Sequence, residues 1–335
     1  MGLTVQLCAV ALGQIGDLYL IDAHGQIDET VDFQTAIHLM DQAGIRSVIL
    51  TPVGRRKPQE IVQFSRQYPN RVLPSVRTKI PACLNNSGDL DEALRRQADS
   101  GNFVAMAELL MYHAAKRRGA AENRALETVI YPSDPRVQTA LQLAIEKKWP
   151  LVLHIEFSSP SIQDRGRFMR ELEGMLDERL GEPFVLTHMG QLQAAEVQRL
   201  IEAHANIYFL TSRSDPFIIS QAGKGRQPWV NMFQGNGLAD DWRRLMVRYP
   251  ERFALAFDNV WPEYWSDLYV ERTRLWRHAL SELPTSVAHS GNSKKSAVNW
   301  IRSPARRAFR VACIDKLRPK RSCGRASRLD SREPS

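Results

Sequence analysis

Three histidines and two carboxylates in this chain each stand at the downstream end of a short apolar run. His24 follows Leu18–Ile21, Glu108 follows Phe103–Ala107, and His154 follows Leu151–Leu153. His188 follows Phe184–Thr187, and Asp258 follows Phe253–Phe257. Imidazole nitrogens and carboxylate oxygens are ligands for a divalent cation such as zinc. A cation so held acidifies water and polarises a carbonyl, so the chemistry implied is metal-assisted hydrolysis. Asp258 is the best candidate for a general base, because a carboxylate ending an apolar strand is costly unless a metal, a cation or water satisfies it. The same argument applies to Glu108, either as a ligand or as the partner of Arg77. Gln26 shares a strand face with His24, since alternate residues point the same way. It offers only a weak neutral oxygen where a second imidazole would bind strongly. Arg77 and Lys79 suit either a substrate carboxylate or an ion pair with Glu108. Gly190, two residues past His188, permits close approach of backbone or ligand. Taken singly, each histidine also fits a hydrogen-bonded core position. Their common phase with the strand ends makes the set specific.

Those side chains can meet only if the strand ends converge. Apolar runs alternate with stretches of helical length along the chain. Leu18–Ile21 precedes an amphipathic segment, Thr35–Ala43, closed by Gly44. Ser47–Thr51 precedes Pro58–Tyr68, and Val72–Val76 precedes Leu90–Ser100. After Phe103–Ala107 comes a long connection, Met111–Pro132, basic at Lys116–Arg118 and poor in strand signals. Asp134 and Pro135 are a plausible N-cap and first-turn pair for a helix to about Lys148. Leu151–Leu153, Phe184–Thr187, Ile207–Leu210 and Phe253–Phe257 are the remaining runs, followed by helices near Ile162–Leu180, Ala194–Ala203, Asp240–Arg248 and Trp265–Leu283. Eight alternations predict a closed (β/α)8 TIM barrel, whose catalytic groups gather at the C-terminal ends of the strands. An open doubly wound sheet is the alternative, but no Gly-rich phosphate loop follows the first run. The loop Thr211–Gly237 is expected to shape the pocket, with Arg213, Trp229 and Phe233 as substrate contacts.

A chain of 335 residues with 43% hydrophobic residues can bury one such domain. Residues 302–335 hold 11 of the 45 Lys and Arg and 3 of the 37 Asp and Glu, which accounts for the whole net charge of +8. The body is therefore neutral, and nucleic acid is not indicated as a partner. The division expected is an N-terminal segment (1–17), a barrel (18–301) and a basic tail (302–335). The tail is expected to be disordered, or helical only at Ala305–Ala312, and loosely packed. Leu3–Leu12 reads either as an extension or as the remnant of an export signal, since no basic residue precedes it. A cytoplasmic location is favoured, with a periplasmic or secreted one tied to the signal reading. Cys8, Cys83, Cys313 and Cys323 form no C-x-x-C pair, which argues against a cysteine zinc site. No apolar run reaches the ~18 residues of a transmembrane helix.

The pattern resembles the amidohydrolase superfamily, in the amidohydrolase-2-related branch of TIM-barrel metal-dependent hydrolases. Ile21–His24, Trp149–His154, Leu186–Gly190 and Tyr249–Phe253 leading to Asp258 carry the resemblance, with Leu283-Pro284 and Gly291–Ser293 similar to the closing segment. It spans roughly residues 18–295. The resemblance implies His24, His154 and Asp258 as metal ligands, and His188 as a ligand or as the group polarising the substrate. It places Glu108 on the fourth strand, where some members carry a ligating carboxylate. Gln26 departs from the family's second histidine, and Ala256-Phe257 gives a bulkier approach to Asp258. The implied reaction is attack of activated water on an amide, ester or lactone carbonyl of a small molecule. Non-oxidative decarboxylation on the same barrel is the alternative enzyme reading, and a barrel that only binds a small ligand is the non-catalytic one. Oligomeric state is left open, a homo-oligomer included.

Overall fold

The computed structural model describes residues 18–118, 121–123, 127–159, 162–222, 227–284 and 315–316. Eight parallel strands occur in chain order: β1 Leu18–Ile27, β2 Ile45–Pro52, β3 Val72–Arg77, β4 Ala105–His113, β5 Leu151–Ile155, β6 Phe184–Leu186, β7 Ile207–Leu210 and β8 Phe253–Ala254. Each pairs with the next, so spatial order follows chain order. The circle is nearly closed by the chain beyond β8. Ala23 N–H donates to Leu255 O (2.8 Å), Asp258 N–H to His24 O (2.8 Å) and Gln26 N–H to Asn259 O (2.7 Å). These bonds bring Asp258 beside His24, though 234 positions separate the two in sequence.

A principal helix follows each strand: α1 Phe33–Ala43, α2 Pro58–Gln67, α3 Leu90–Ala98, α4 Pro135–Lys147, α5 Arg165–Glu178, α6 Ala194–Ala203, α7 Asp240–Arg248 and α8 Asp267–Ser281. Their local chemistry explains where they begin and end. Asp134 caps α4 by accepting from Arg136 N–H, and Pro135 occupies the first turn. Gly44 ends α1 at φ 66°, a left-handed conformation that costs glycine little. In α4, Val137, Ala140, Leu141 and Ala144 recur at helical spacing and are buried. Each leucine so covered stabilises the fold by about 1.5–3 kcal/mol. Strand residues such as Val48, Leu50, Met106, Leu151, Leu153, Val185 and Phe209 fill the same continuous core. Gly25 admits the neighbouring strand, since a Cβ there would stand 2.7 Å from Val48 Cγ2.

Several boundaries differ from those the sequence suggests. Strand β1 continues through His24 to Ile27, and β4 continues through Glu108 to His113. These two residues therefore lie within strands rather than after them, as does His154 in β5. The register slips between Asp22 and Gly25 in the β1–β2 pairing, and between Met106 and Leu109 in the β4–β5 pairing. Such bulges re-aim side chains without ending a strand, and periodicity alone does not reveal them. The long connection also carries strand structure: Lys116–Arg118 pairs with Ala121–Asn123, and Thr128–Val129 pairs with β4. Backbone pairing overrides weak local preference there.

The N-terminal segment 1–17, the helix expected at Ala305–Ala312 and the closing stretch Gly291–Ser293 lie outside the described residues. Within the tail, Asp315–Lys316 pairs antiparallel with Leu18–Tyr19. Among the described residues, no helix is long and apolar enough to cross a membrane.

Candidate metal centre

All five ligand candidates converge at the mouth formed by the strand ends. His24 and Gln26 come from β1, Glu108 from β4, and His154 from β5. His188 follows β6, Arg213 follows β7 and Asp258 follows β8. His24 Nε2 lies 3.5 Å from Glu108 Oε2 and 3.9 Å from Asp258 Oδ1. His188 Nε2 lies 3.6 Å from Glu108 Oε1 and 3.9 Å from Asp258 Oδ2. His154 Nδ1 is hydrogen-bonded to Glu108 Oε1 at 2.8 Å. The rings of His154 and His188 are 4.9 Å apart, and those of His24 and His188 are 6.0 Å apart. Glu108 thus belongs to two ligand-capable triads, one with His24 and Asp258 and the other with His154 and His188.

The backbone is bent to achieve this. Glu108 (φ 24°), His188 (54°), Arg213 (61°) and Asp258 (55°) all adopt positive φ. Non-glycine residues pay roughly 1–3 kcal/mol each for such conformations, which concentrate at functional sites. Three of the four follow strand ends and Glu108 sits at the register break inside β4, so the strain gathers around one mouth.

Cations of the chain itself also reach these carboxylates. Lys79, two residues past β3, donates to Gln26 Oε1 (2.9 Å) and contacts Glu108. Gln26 Nε2 donates to Asp258 Oδ1 (2.5 Å). Arg213 Nε donates to Asp258 Oδ2 (2.8 Å), and its guanidinium stacks over Tyr264. Trp229 sets its ring edge-to-face 5.0 Å from His188. Arg77 is placed differently from the ion-pair expectation. Its guanidinium donates to the backbone carbonyls of Lys79 (3.0 Å) and Arg56 (3.3 Å), so it braces the loop that presents Lys79. Of the two cations, it is Lys79, on the loop after β3, that pairs with Glu108.

Charge states follow from these neighbours. Burial pulls the His24 pKa down, but the Glu108 and Asp258 charges outweigh it and leave it raised. Burial likewise opposes protonation of His154, yet its bonds to Glu108 and Glu156 push its pKa up to about 9. For His188 burial prevails over the nearby carboxylates and lowers it to about 4. Burial would raise Glu108 and Asp258. Lys79 and His24 hold Glu108 well below the usual carboxylate range, and Arg213 and His24 do the same for Asp258. The sequence reading missed two outer partners. Ser212 Oγ bonds His188 Nδ1 at 2.8 Å, and Glu156 Oε1 bonds His154 Nε2 at 3.1 Å. Both sit within two residues of a strand end or a candidate ligand, which is the one signal that could have marked them.

A consequence for stability concerns His154 without metal. A histidine whose folded pKa exceeds its unfolded value stabilises the fold fully below the unfolded pKa, and that gain is lost as pH rises through the folded pKa. For His154 the window runs from about 6.5, its unfolded value, to about 9. Chemical denaturation of metal-free protein should therefore show the advantage of wild type over His154→Gln shrinking by about 3 kcal/mol between those limits. A constant difference would show that His154 is not charged in the fold.

The donor set fits a divalent cation on one further count. Both ring nitrogens of His24 are buried without a hydrogen-bond partner. A buried polar group left unsatisfied costs about 1–3 kcal/mol, and in native folds such groups call for an explanation. A ligated ion between His24, Glu108 and Asp258 would supply one.

No family model matches the chain, and no curated protein matches it. Among solved structures, an uncharacterized TIM-barrel protein from Bordetella bronchiseptica aligns with a TM-score of 0.48 at 11% identity, covering 81% of this chain and 94% of that one. A short-chain dehydrogenase/reductase from Serratia marcescens aligns with a TM-score of 0.25 at 12% identity, covering 50% of this chain and 74% of that one. Eight parallel strands in chain order and their near closure make the fold a TIM barrel.

Proposed function

We propose that this barrel is a divalent-cation-dependent hydrolase of small molecules, of the amidohydrolase type. The observation that carries the reading is His24. It is buried, has no hydrogen-bond partner at either ring nitrogen, and is flanked by two ionised carboxylates at the barrel mouth. His24, Glu108, Asp258 and His154 would hold the ion, with zinc the metal best suited to mixed imidazole and carboxylate donors. When bound, such an ion supplies Lewis acidity and lowers the pKa of water. Asp258, kept ionised by Arg213, is placed to accept the proton of the attacking water and to return it to the leaving group. His188, neutral at pH 7, is placed to orient or polarise the substrate carbonyl, with Trp229 packing against its ring. Lys79 and Arg213 would receive an anionic substrate group.

One observation favours a second reading. Lys79 and Arg213 already pair with Glu108 and Asp258, so the carboxylates are neutralised without a metal. On that reading the mouth binds a small anionic ligand and catalyses nothing. A panel of amides, esters, lactones and carboxylic acids, assayed with added zinc and with chelator, separates the cases. Hydrolysis dependent on the ion supports the proposal. Release of carbon dioxide would assign decarboxylation instead, and the absence of any turnover would leave the binding barrel. Gln26→His tests the ligand set independently. It should tighten zinc binding by about tenfold, because an imidazole replaces an amide already committed to Lys79 and Asp258. Unchanged affinity would place the ion elsewhere.

A further inference from the structure

His154 and His188 share an arrangement that the ligand set does not by itself require. Each turns one ring nitrogen toward Glu108 and has the other held from outside. For His188 the outer partner is Ser212 Oγ on Nδ1 (2.8 Å). For His154 it is Glu156 Oε1 on Nε2 (3.1 Å). Glu156 is itself pinned, because its Oε2 accepts the Ala114 N–H at 2.8 Å. Its side chain is 2% exposed, and a carboxylate buried to that degree is costly unless its partners repay it. One oxygen is anchored to the backbone after β4, and the other is aimed at an imidazole of β5. That arrangement fixes which nitrogen of His154 faces the mouth.

Resting on the cation reading above, we propose that Glu156 is a positioning residue that holds His154 as a ligand through Nδ1. The physical basis is general. A ligating imidazole that donates its other N–H to a carboxylate is locked in tautomer and ring orientation and made more basic, and losing that partner weakens metal affinity by about 10–100-fold. Glu156 never touches the ion or the substrate. Its neighbour His113, with its ring 5.3 Å from that of His154, lies on the same outer side. His113, His154 and Glu156 could instead form a second ligand group. We favour the positioning role because both Glu156 oxygens are engaged, Oε1 by His154 and Oε2 by the Ala114 N–H, whereas on the Nδ1 side Glu108 also stands close to His24 and His188.

The test is zinc affinity by chelator competition and the visible absorption of the cobalt-substituted full chain, with thermal melting as the fold control. Glu156→Ala should bind zinc about 10–100-fold more weakly and shift the cobalt band. Glu156→Gln keeps an acceptor oxygen but loses the charge, so it should recover most of that affinity while still shifting the band. A purely structural role would lower the melting temperature without moving the cobalt spectrum. If Glu156→Ala does not fold, Glu156→Gln decides alone, and an unchanged band overturns the proposal. Zinc binding within twofold of wild type in both variants also overturns it, and leaves the hydrolase reading standing. A wild type that takes up no divalent ion sinks both. Two zinc equivalents in wild type, falling to one in both His113→Ala and Glu156→Ala, would overturn the positioning role by making Glu156 a ligand.

Discussion

Asp258→Asn should lose turnover by about 10²–10⁴-fold while the barrel stays folded. The asparagine keeps the shape of the side chain and one acceptor oxygen, enough for Gln26 or Arg213 but not both, and it cannot accept a proton and is a poorer ligand. The wild-type carboxylate receives Gln26 Nε2 at 2.5 Å and Arg213 Nε at 2.8 Å, and its backbone N–H is tied to His24 O. One side-chain hydrogen bond and the backbone tie therefore survive the substitution at some cost in stability, and the chemistry does not. Measured on whichever panel compound is turned over, kcat should fall with little change in KM, as expected for a group that acts in the transition state. Retention of more than about a tenth of the activity would remove Asp258 from the mechanism. Circular dichroism and melting temperature establish that the loss is not unfolding.

The second large effect is on stability. Asp215→Ala should cost the fold about 3–5 kcal/mol, the range for breaking a buried ion pair by removing one partner. Arg272 and Asp215 are both 0% exposed at the side chain and meet at 2.9 Å. Arg272 also donates to Asn259 Oδ1 (3.2 Å) and to Phe257 O (2.9 Å). Asp215 accepts Ile218 N–H as well, capping the short helix Pro216–Ala222. One guanidinium from α8 thus ties together the chain after β7 and the chain after β8, on either side of the Arg213–Asp258 pair. Without Asp215 the guanidinium is buried with its charge uncompensated. Urea denaturation should show a lower midpoint at an unchanged slope. A loss under about 1 kcal/mol would mean that water reaches Arg272 once Asp215 is gone.

The barrel and most of its mouth were legible in the sequence because each rests on a repeated signal. Apolar runs at the strand period alternate with helical stretches, and polar residues such as His154 and His188 interrupt the runs at their downstream ends. Helix ends were readable where a cap had a chemical marker, as with Asp134-Pro135 and Gly44. The extension of β1 past His24 and of β4 past Glu108 was not, because a bulge is a property of strand pairing and leaves no fixed mark on one strand. Sequence offers both Arg77 and Lys79 as partners of Glu108, and only the structure chooses between them. Arg77 stands at the end of β3 in sequence, but its guanidinium is drawn to backbone carbonyls, and the loop delivers Lys79 instead. Glu156 and Ser212 are ordinary polar residues until their distances to the two imidazoles are known.

Metal content of the purified protein tests the central claim most directly. The full chain, purified without chelator, loaded with zinc and desalted, should retain one tightly held divalent ion per molecule by elemental analysis. His24→Ala, treated identically and shown to be folded, should retain none or nearly none, because the substitution removes an imidazole whose two nitrogens are buried without a hydrogen-bond partner. Wild-type protein that emerges free of metal, or a His24→Ala variant that keeps its full equivalent, would contradict the account.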